Sequence, residues 1–171
     1  MQKRIKIRAL EPTDLEFLYE LENDSDLWYL GNQHQPMSRY LLMKYIQEAD
    51  KDIYEAGQFR FAIEKTDTNE LLGLIDLFDF DPKNKRAGVG IIIKNTNNRK
   101  QGFGKEALKE LINYGFNILH LHQLYANISK DNLISISLFE SLGFEKTGCK
   151  KDWNFNGKDF DDVLFYQLIN K

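Results

Sequence analysis

The sequence holds a single cysteine, Cys149, among its 171 residues. One thiol cannot close an intrachain disulfide or build a Cys-rich zinc site, and such sparse usage suits a reducing compartment. Packing is the role expected of Cys149. Long apolar runs are missing too. Residues 1–8 alternate charged and apolar side chains where a secretory signal needs a continuous apolar core, and no later stretch approaches about 18 apolar residues. A soluble cytoplasmic protein is the expectation. Nor is there an excess of one charge. The 23 Lys and Arg against 26 Asp and Glu leave a formal net charge of −3, too weak a field to hold the whole molecule on nucleic acid or an anionic membrane. Any anionic ligand must be held by local features.

What is present is the composition of a packed domain, 42% hydrophobic and 29% charged. The length falls within the usual range of one unit, so residues 1–171 are expected to form a single domain. Ile5, Ile7 and Ala9 alternate with Lys6 and Arg8 as in a half-buried strand. A helix start follows at Pro12, with Thr13 and Glu16 read as a capping box. Leu42, Tyr45, Ile46, Ala49 and Ile53 share one face of a second helix, capped by Ser38. Residues 23–37, between the two helices, are irregular.

From Phe59 the period becomes two. Phe59, Phe61 and Ile63 alternate with polar residues, residues 71–80 and 89–93 form two more apolar strands, and the polar clusters at 67–69 and 81–84 are the turns of an antiparallel meander. Leu108, Leu111, Ile112, Gly115, Phe116 and Leu119 then mark an amphipathic helix, followed by a short strand at 124–128. Asp131 or Asn132 caps another helix that stops at Gly143. Two last strands, 144–151 and 160–168, are joined through Asn156 and Gly157. The pattern is α+β.

The segment Arg99, Lys100, Gln101, Gly102, Phe103, Gly104 and Lys105 lies between a strand and a long helix. Its glycines let backbone N–H groups turn toward a ligand, and the following helix N-terminus favours negative charge, so the segment suits a pyrophosphate. A solvated basic loop is the plain alternative. A P-loop is excluded, because Glu106 stands where its hydroxyl is required and no glycine lies five residues before Gly104. Gly102, Gly104 and Ala107 do satisfy the dinucleotide pattern, with Asp131 as a ribose acid. There the first glycine follows the first strand almost at once, which is not the context here.

A second segment, Asn132 through Ser135, Phe139, Gly143 and Phe144, completes a pair of motifs. R/Q-x-x-G-x-G/A followed by N-x-x-S/A-x-x-x-Y/F-x-x-x-G-F resembles the GNAT superfamily of N-acetyltransferases. The resemblance spans residues 5–169. Within the superfamily, Arg86 and Ala87 followed by Ile91, Ile92 and Ile93 are similar to spermidine N-acetyltransferases, and Asp161, Asp162 and Val163 to the acetyltransferases of ribosomal-protein N-termini. The implied fold is a GNAT-like mixed central sheet of about seven strands with about four helices. The implied reaction moves an acetyl group from acetyl-CoA to a primary amine by direct attack in a ternary complex. The amine belongs to a peptide or protein N-terminus, a polyamine or a small molecule, and a homo-oligomer is compatible. A non-catalytic acyl-CoA-binding module and a nucleotide-dependent oxidoreductase are the competing readings.

The resemblance also implies residue roles. The backbone of Ile91, Ile92 and Ile93 pairs with pantetheine like an added strand, an N–H near Ile93 holds the oxyanion, and the amides of residues 99–105 hold the pyrophosphate. Asn132 either hydrogen-bonds pantetheine or caps its helix. Many relatives carry an acidic tyrosine where this chain has Phe139, which contacts the cofactor but has no proton to give. Ser135, on the same helical face, is the candidate acid. A base is sought among Asp26, Glu64, Asp76 and Asp79. Residues 30–36 lack carboxylates, with Asp24 and Asp26 just upstream, so a polyamine is not the favoured acceptor. His34 is read as a solvated loop residue, Trp28 and Tyr29 as pocket wall or core, and no metal site is expected, because His120 and His122 lack a third ligand.

Overall fold

Alternation of apolar and polar residues builds the first half of a sheet, and a crossing helix carries the chain to the second half. The structure, a computed structural model, describes residues 3–30 and 34–171. Strand β1 spans Ile5–Ala9, β2 Phe59–Lys65, β3 Leu71–Asp81 and β4 Arg86–Ile93. These four pair antiparallel in sequence order. Helix α4, Phe103–Asn113, then leads to β5 at Gln123–Ser129. Helix α5, Leu133–Glu140, leads to the hairpin of β6, Glu145–Phe155, and β7, Phe160–Ile169. The seven strands run in the order β1-β2-β3-β4-β5-β7-β6, and only β4 and β5 are parallel.

Opposite faces of β3 and β4 bury different helices. Ile75, Val89 and Phe61 lie in a core with Phe103, Ala107, Leu108 and Leu111 of α4 and with Phe139 of α5. Leu74 meets Leu18 and Leu21 of α1, Leu15–Glu22, and Leu42 and Ile46 of α2, Arg39–Gln47. Gly73 is required between the two strands. A Cβ there would lie 1.9 Å from the carbonyl oxygen of Ile92.

The seven expected strands are present, with β6 running to Phe155 rather than stopping at 151. The helices differ in three places. The second one ends at Gln47, and Ile53 opens a separate turn, α3 (Ile53–Ala56), because the Asp52 carboxylate accepts the Glu55 N–H at 3.0 Å. Among the described residues this makes five α-helices where four were expected. The first cap is shifted. Pro12 and its neighbours form a 3₁₀ turn in which Asp14 accepts the Glu11 N–H at 2.8 Å, while Glu16 faces outward to Arg39. Proline lacks an N–H and so fits the first position of such a turn. Helix α4 continues as a π turn, Tyr114–Ile118, closed by the Leu119 N–H on the Tyr114 oxygen at 3.1 Å.

Asp14 and Glu64 are the two buried charged residues among those described. Arg8 bonds both, with its Nη1 2.8 Å from Asp14 Oδ2 and its Nε 2.5 Å from Glu64, and Lys6 adds a second cation to Glu64. No helix among the described residues is long and apolar enough to cross a membrane.

Candidate active site

The parallel ladder between β4 and β5 has three rungs, Arg86 to Gln123, Ala87 to Leu124 and Gly88 to Tyr125. Beyond the last rung the strands separate. Residues 89–93 stay paired to β3 on one edge only, so their other edge offers backbone groups to an extended ligand. Pantetheine, with two amides, can continue that ladder.

The loop after β4 is shaped for an anion. Lys100 at φ 62° and Gly102 at φ 88° are both left-handed, the backbone conformation that builds anion-binding concavities when it alternates with right-handed residues. Helix α4 begins at Phe103, and the Glu106 N–H donates to the Gly102 carbonyl at 3.0 Å. The amides of Phe103, Gly104 and Lys105 therefore precede the helical ladder and carry its partial positive charge. A Cβ at Gly104 would meet only ordinary contacts with Leu138, Ile91 and Ile93, at 3.7 to 3.9 Å. Internal packing does not demand glycine there, and the missing side chain leaves room for close approach of a ligand.

Of the loop side chains, Arg99 is drawn back and donates to the Ile93 carbonyl at 3.0 Å, fixing the loop to the end of β4. Lys100, Gln101 and Lys105 are exposed, and Phe103 is buried in the core, so its contribution is its amide. Arg4 was not foreseen. It donates to the Gln101 carbonyl at 3.1 Å and to Glu106 at 2.6 Å, and its guanidinium lies over the Phe103 ring, 4.9 Å from the centroid. A basic residue at the start of the first strand gives no sequence signal of that contact, which spans about a hundred positions.

Two adjoining cavities fill the opening. One, of about 370 Å³, is lined by Ile91, Ile92, Ile93, Arg99, Gly104, Asp131 and Leu138. The other, of about 470 Å³, is lined by Glu22, Trp28, Arg60, Asp76, Asn127, Phe139, Phe155 and Asn156. They share a wall made of Leu27, Ile91, Ile92, Ser129, Asn132, Ser135 and Asp161. The first cavity opens on the anion loop and the second lies across the sheet's splayed edge, so the wall marks where a thioester and an acceptor would meet.

On that wall Asn132 acts as the helix cap. Its Oδ1 caps α5 by accepting the Ser135 N–H at 3.1 Å, and its Nδ2 has no partner among the described residues. Ser135 lines both cavities, and its hydroxyl has no hydrogen-bond partner among the described residues. Phe139 is 3% exposed and packs edge-on against Phe144, with ring centroids 4.9 Å apart. It forms the cavity floor, and its shape serves packing.

Of the four candidate bases, three lie elsewhere. Glu64 belongs to the Arg8 cluster, Asp26 is exposed outside both cavities, and Asp79 accepts the Tyr125 hydroxyl at 3.3 Å. Burial, then the charge of Asp79, push the Tyr125 phenol up to about 12, so it stays protonated at neutral pH. Asp76 does line the acceptor cavity, but Arg60 holds both its oxygens, at 2.8 and 2.9 Å, and bonds Glu22 at 2.7 Å. Burial opposes the Arg60 charge, yet the surrounding carboxylates win and raise its pKa. Trp28 donates its indole N–H to the Glu22 carbonyl at 2.8 Å and forms pocket wall. His34 is exposed. The side chain of Tyr29 and residues 31–33 of the acceptor segment lie outside the described residues.

An anion loop at a helix N-terminus, an unpaired strand edge and a cavity for a second substrate define an acyltransferase that uses a CoA thioester. The chain belongs to the family of the acetyltransferase (GNAT) domain, whose model matches residues 4–145. It is 27% identical to a spermidine N(1)-acetyltransferase of Vibrio cholerae, over all of this chain and 96% of that one. It is 29% identical to a protein of the same name from Escherichia coli K12, over 84% of this chain and 74% of the relative. A crystal structure of the Vibrio cholerae spermidine N-acetyltransferase in complex with CoA and spermine superposes with a TM-score of 0.85 at 25% identity, covering 98% of this chain and 96% of that one. The protein is an N-acetyltransferase with acetyl-CoA as co-substrate, and a purely binding module is not favoured.

Proposed function

We propose that the acceptor is a small polycationic amine of the spermidine class. One observation carries this. The acceptor cavity is lined by three carboxylates, Glu22, Asp76 and Asp161, against the single guanidinium of Arg60. That leaves an excess of negative charge in a partly enclosed space, where water screens it less. The carboxylates absent from residues 30–36 are supplied from α1, β3 and β7 instead. Relatives that bear the name spermidine N(1)-acetyltransferase support the same acceptor.

In this reading the unpaired edge of Ile91, Ile92 and Ile93 holds pantetheine, and the Asn132 Nδ2 donates to one of its carbonyls. The amides turned by Lys100, Gln101, Gly102, Phe103, Gly104 and Lys105 receive the pyrophosphate, with the loop anchored by Arg99. Phe139 closes the floor beneath the thioester. Direct attack forms the C–N bond as the C–S bond breaks, and Ser135 hands a proton to the departing thiolate. Residues 1–171 act as one acetyltransferase domain. A homo-oligomer is the expected assembly, in line with a dodecameric spermidine N-acetyltransferase of Vibrio cholerae that has a TM-score of 0.81.

Thiol release from acetyl-CoA against a panel of spermidine, spermine, a simple alkylamine and a short peptide tests the acceptor. Spermidine or spermine is expected to give the highest kcat/KM, with a KM that rises with salt more steeply than that of the monoamine. A peptide with the highest kcat/KM would replace the polyamine by a peptide N-terminus.

A further inference from the structure

Transfer to an amine needs the acceptor as a free base, while an alkylammonium has a pKa of about 10.4. Some group beside the acetyl carbon must take that proton. Among the residues described, one titratable side chain lines both cavities, and it is Asp161. It shares the wall with Ser129, Asn132 and Ser135, where thioester and acceptor meet.

Asp161 is held for the task by its strand. Near the start of β7 it faces Asn154 across the hairpin. Its neighbour Asp162 lies on the opposite face, where Lys151 pairs with it at 3.2 Å. The Asn156 side chain donates to Asp161 Oδ1 at 3.0 Å, which fixes the carboxylate plane. The other oxygen, Oδ2, has no partner among the described residues, and the side chain forms no ion pair. An acid whose cationic partners are all elsewhere, placed where two substrate cavities join, differs from Asp76, whose two oxygens are occupied by Arg60. The charged groups on the elements around it are Asp131 and Arg99 in the cofactor cavity and Glu22, Asp76 and Arg60 across the acceptor cavity.

We propose that Asp161 is a catalytic residue, the general base that receives the reacting ammonium and removes its proton. The ammonium gives one proton to the carboxylate, and the freed lone pair forms the C–N bond with the thioester carbon. The C–S bond breaks, CoA leaves as thiolate, and the second nitrogen proton passes through Ser135 to sulfur. Protonated Asp161 returns its proton to solvent through the open acceptor cavity. The products are the amide, CoA thiol and one proton. This rests on the protein being an amine acetyltransferase but not on which amine it prefers.

The test compares kcat against pH for the wild type, Asp161→Asn, Asp161→Glu and Asn156→Ala, together with acetyl-CoA affinity. Asp161→Asn is expected to lose about 100-fold in kcat near neutral pH, with acetyl-CoA affinity changed by less than about twofold. Its deficit should shrink about tenfold per pH unit toward the amine's own pKa, because solution then supplies free base. Asp161→Glu should recover part of the rate, and Asn156→Ala should keep the wild-type pH profile. A deficit that is equal at every pH, or matched by Asn156→Ala, would show that the carboxylate only braces the hairpin and would overturn the proposal. An Asp161→Asn enzyme with wild-type kcat, or one that has lost acetyl-CoA binding, would overturn it as well. A wild type that prefers a monoamine or peptide overturns the polyamine reading alone, and the pH comparison then runs on that amine.

Discussion

Gly88 of β4 and Tyr125 of β5 form the last rung of the parallel ladder, and every residue assigned to the chemistry lies beyond it. Past this pair β4 is supported by β3 alone. The sheet therefore opens into a gap whose one wall is a strand with a free backbone edge. That wall keeps its register only if β3 and β4 stay close.

Gly73 sets the closeness. Its absent Cβ would sit 1.9 Å from the Ile92 oxygen, a backbone atom that cannot turn aside. Gly73→Ala is expected to cost about 1–3 kcal/mol, the usual cost of overpacking, which is about 2–12 °C in Tm for a chain of this size. Because the displaced strand lines the cavity proposed for the cofactor, acetyl-CoA affinity should fall too. Thermal melts with and without acetyl-CoA check both.

Gly104 should behave oppositely. A Cβ there has side chains rather than backbone as its nearest neighbours, and a larger group would project toward Leu138, Ile91 and Ile93 beside the proposed cofactor cavity. Gly104→Val is expected to weaken acetyl-CoA binding by about tenfold or more, equivalent to about 1.4 kcal/mol, while the Tm of the free protein changes by only a few degrees. Calorimetric titration with acetyl-CoA separates the two effects.

Much of this arrangement was legible in the sequence, and the omissions have physical reasons. Period-two alternation in Phe59, Phe61 and Ile63, with polar turns at 67–69 and 81–84, located the meander because both signals are local. The glycines of the loop and the Asn132 cap were legible for the same reason. The helix break before Ile53 was masked by apolar spacing that continues through Ala49. Asp161 was visible only within its Asp161, Asp162, Val163 run. What distinguishes it is that β7 inserts beside β5 and brings it to the wall built by α5 and β4. No local pattern records such a long-range pairing.

The Arg8 cluster fixes the acid limit of stability. Burial works to raise both carboxyls, but bonds from Lys6 and Arg8 to Glu64, and from Arg8 and the Glu11 N–H to Asp14, outweigh it and hold both below the ordinary range. A depressed folded pKa gives stability that is present above the unfolded value of about 4 and is lost as pH falls through the folded one. The Tm should therefore drop below about pH 4. Arg8→Met leaves two buried carboxylates without their shared partner and is expected to cost about 3–5 kcal/mol at pH 7. Part of that deficit should be regained on acidification, which denaturant melts at pH 7 and pH 4 can read.

In the proposed mechanism Ser135 gives the proton that relatives with a tyrosine at the Phe139 position would take from that phenol. A thiol of pKa about 8.5 leaves tolerably without an acid, so Ser135→Ala should lower kcat by only about tenfold. Acetyl-CoA affinity should hold, because the bond that caps the helix uses the Ser135 backbone N–H and survives the substitution. An unchanged kcat would mean that the hydroxyl merely lines the wall.

The wall shared by the two cavities implies that both substrates are bound at once and that acetyl passes directly between them. Initial rates of thiol release, with acetyl-CoA and spermidine varied together, test this most directly. Intersecting double-reciprocal lines, with no acetylated protein in the absence of amine, are expected. Parallel lines accompanied by an acetyl group on the protein would instead show a covalent intermediate and contradict the account.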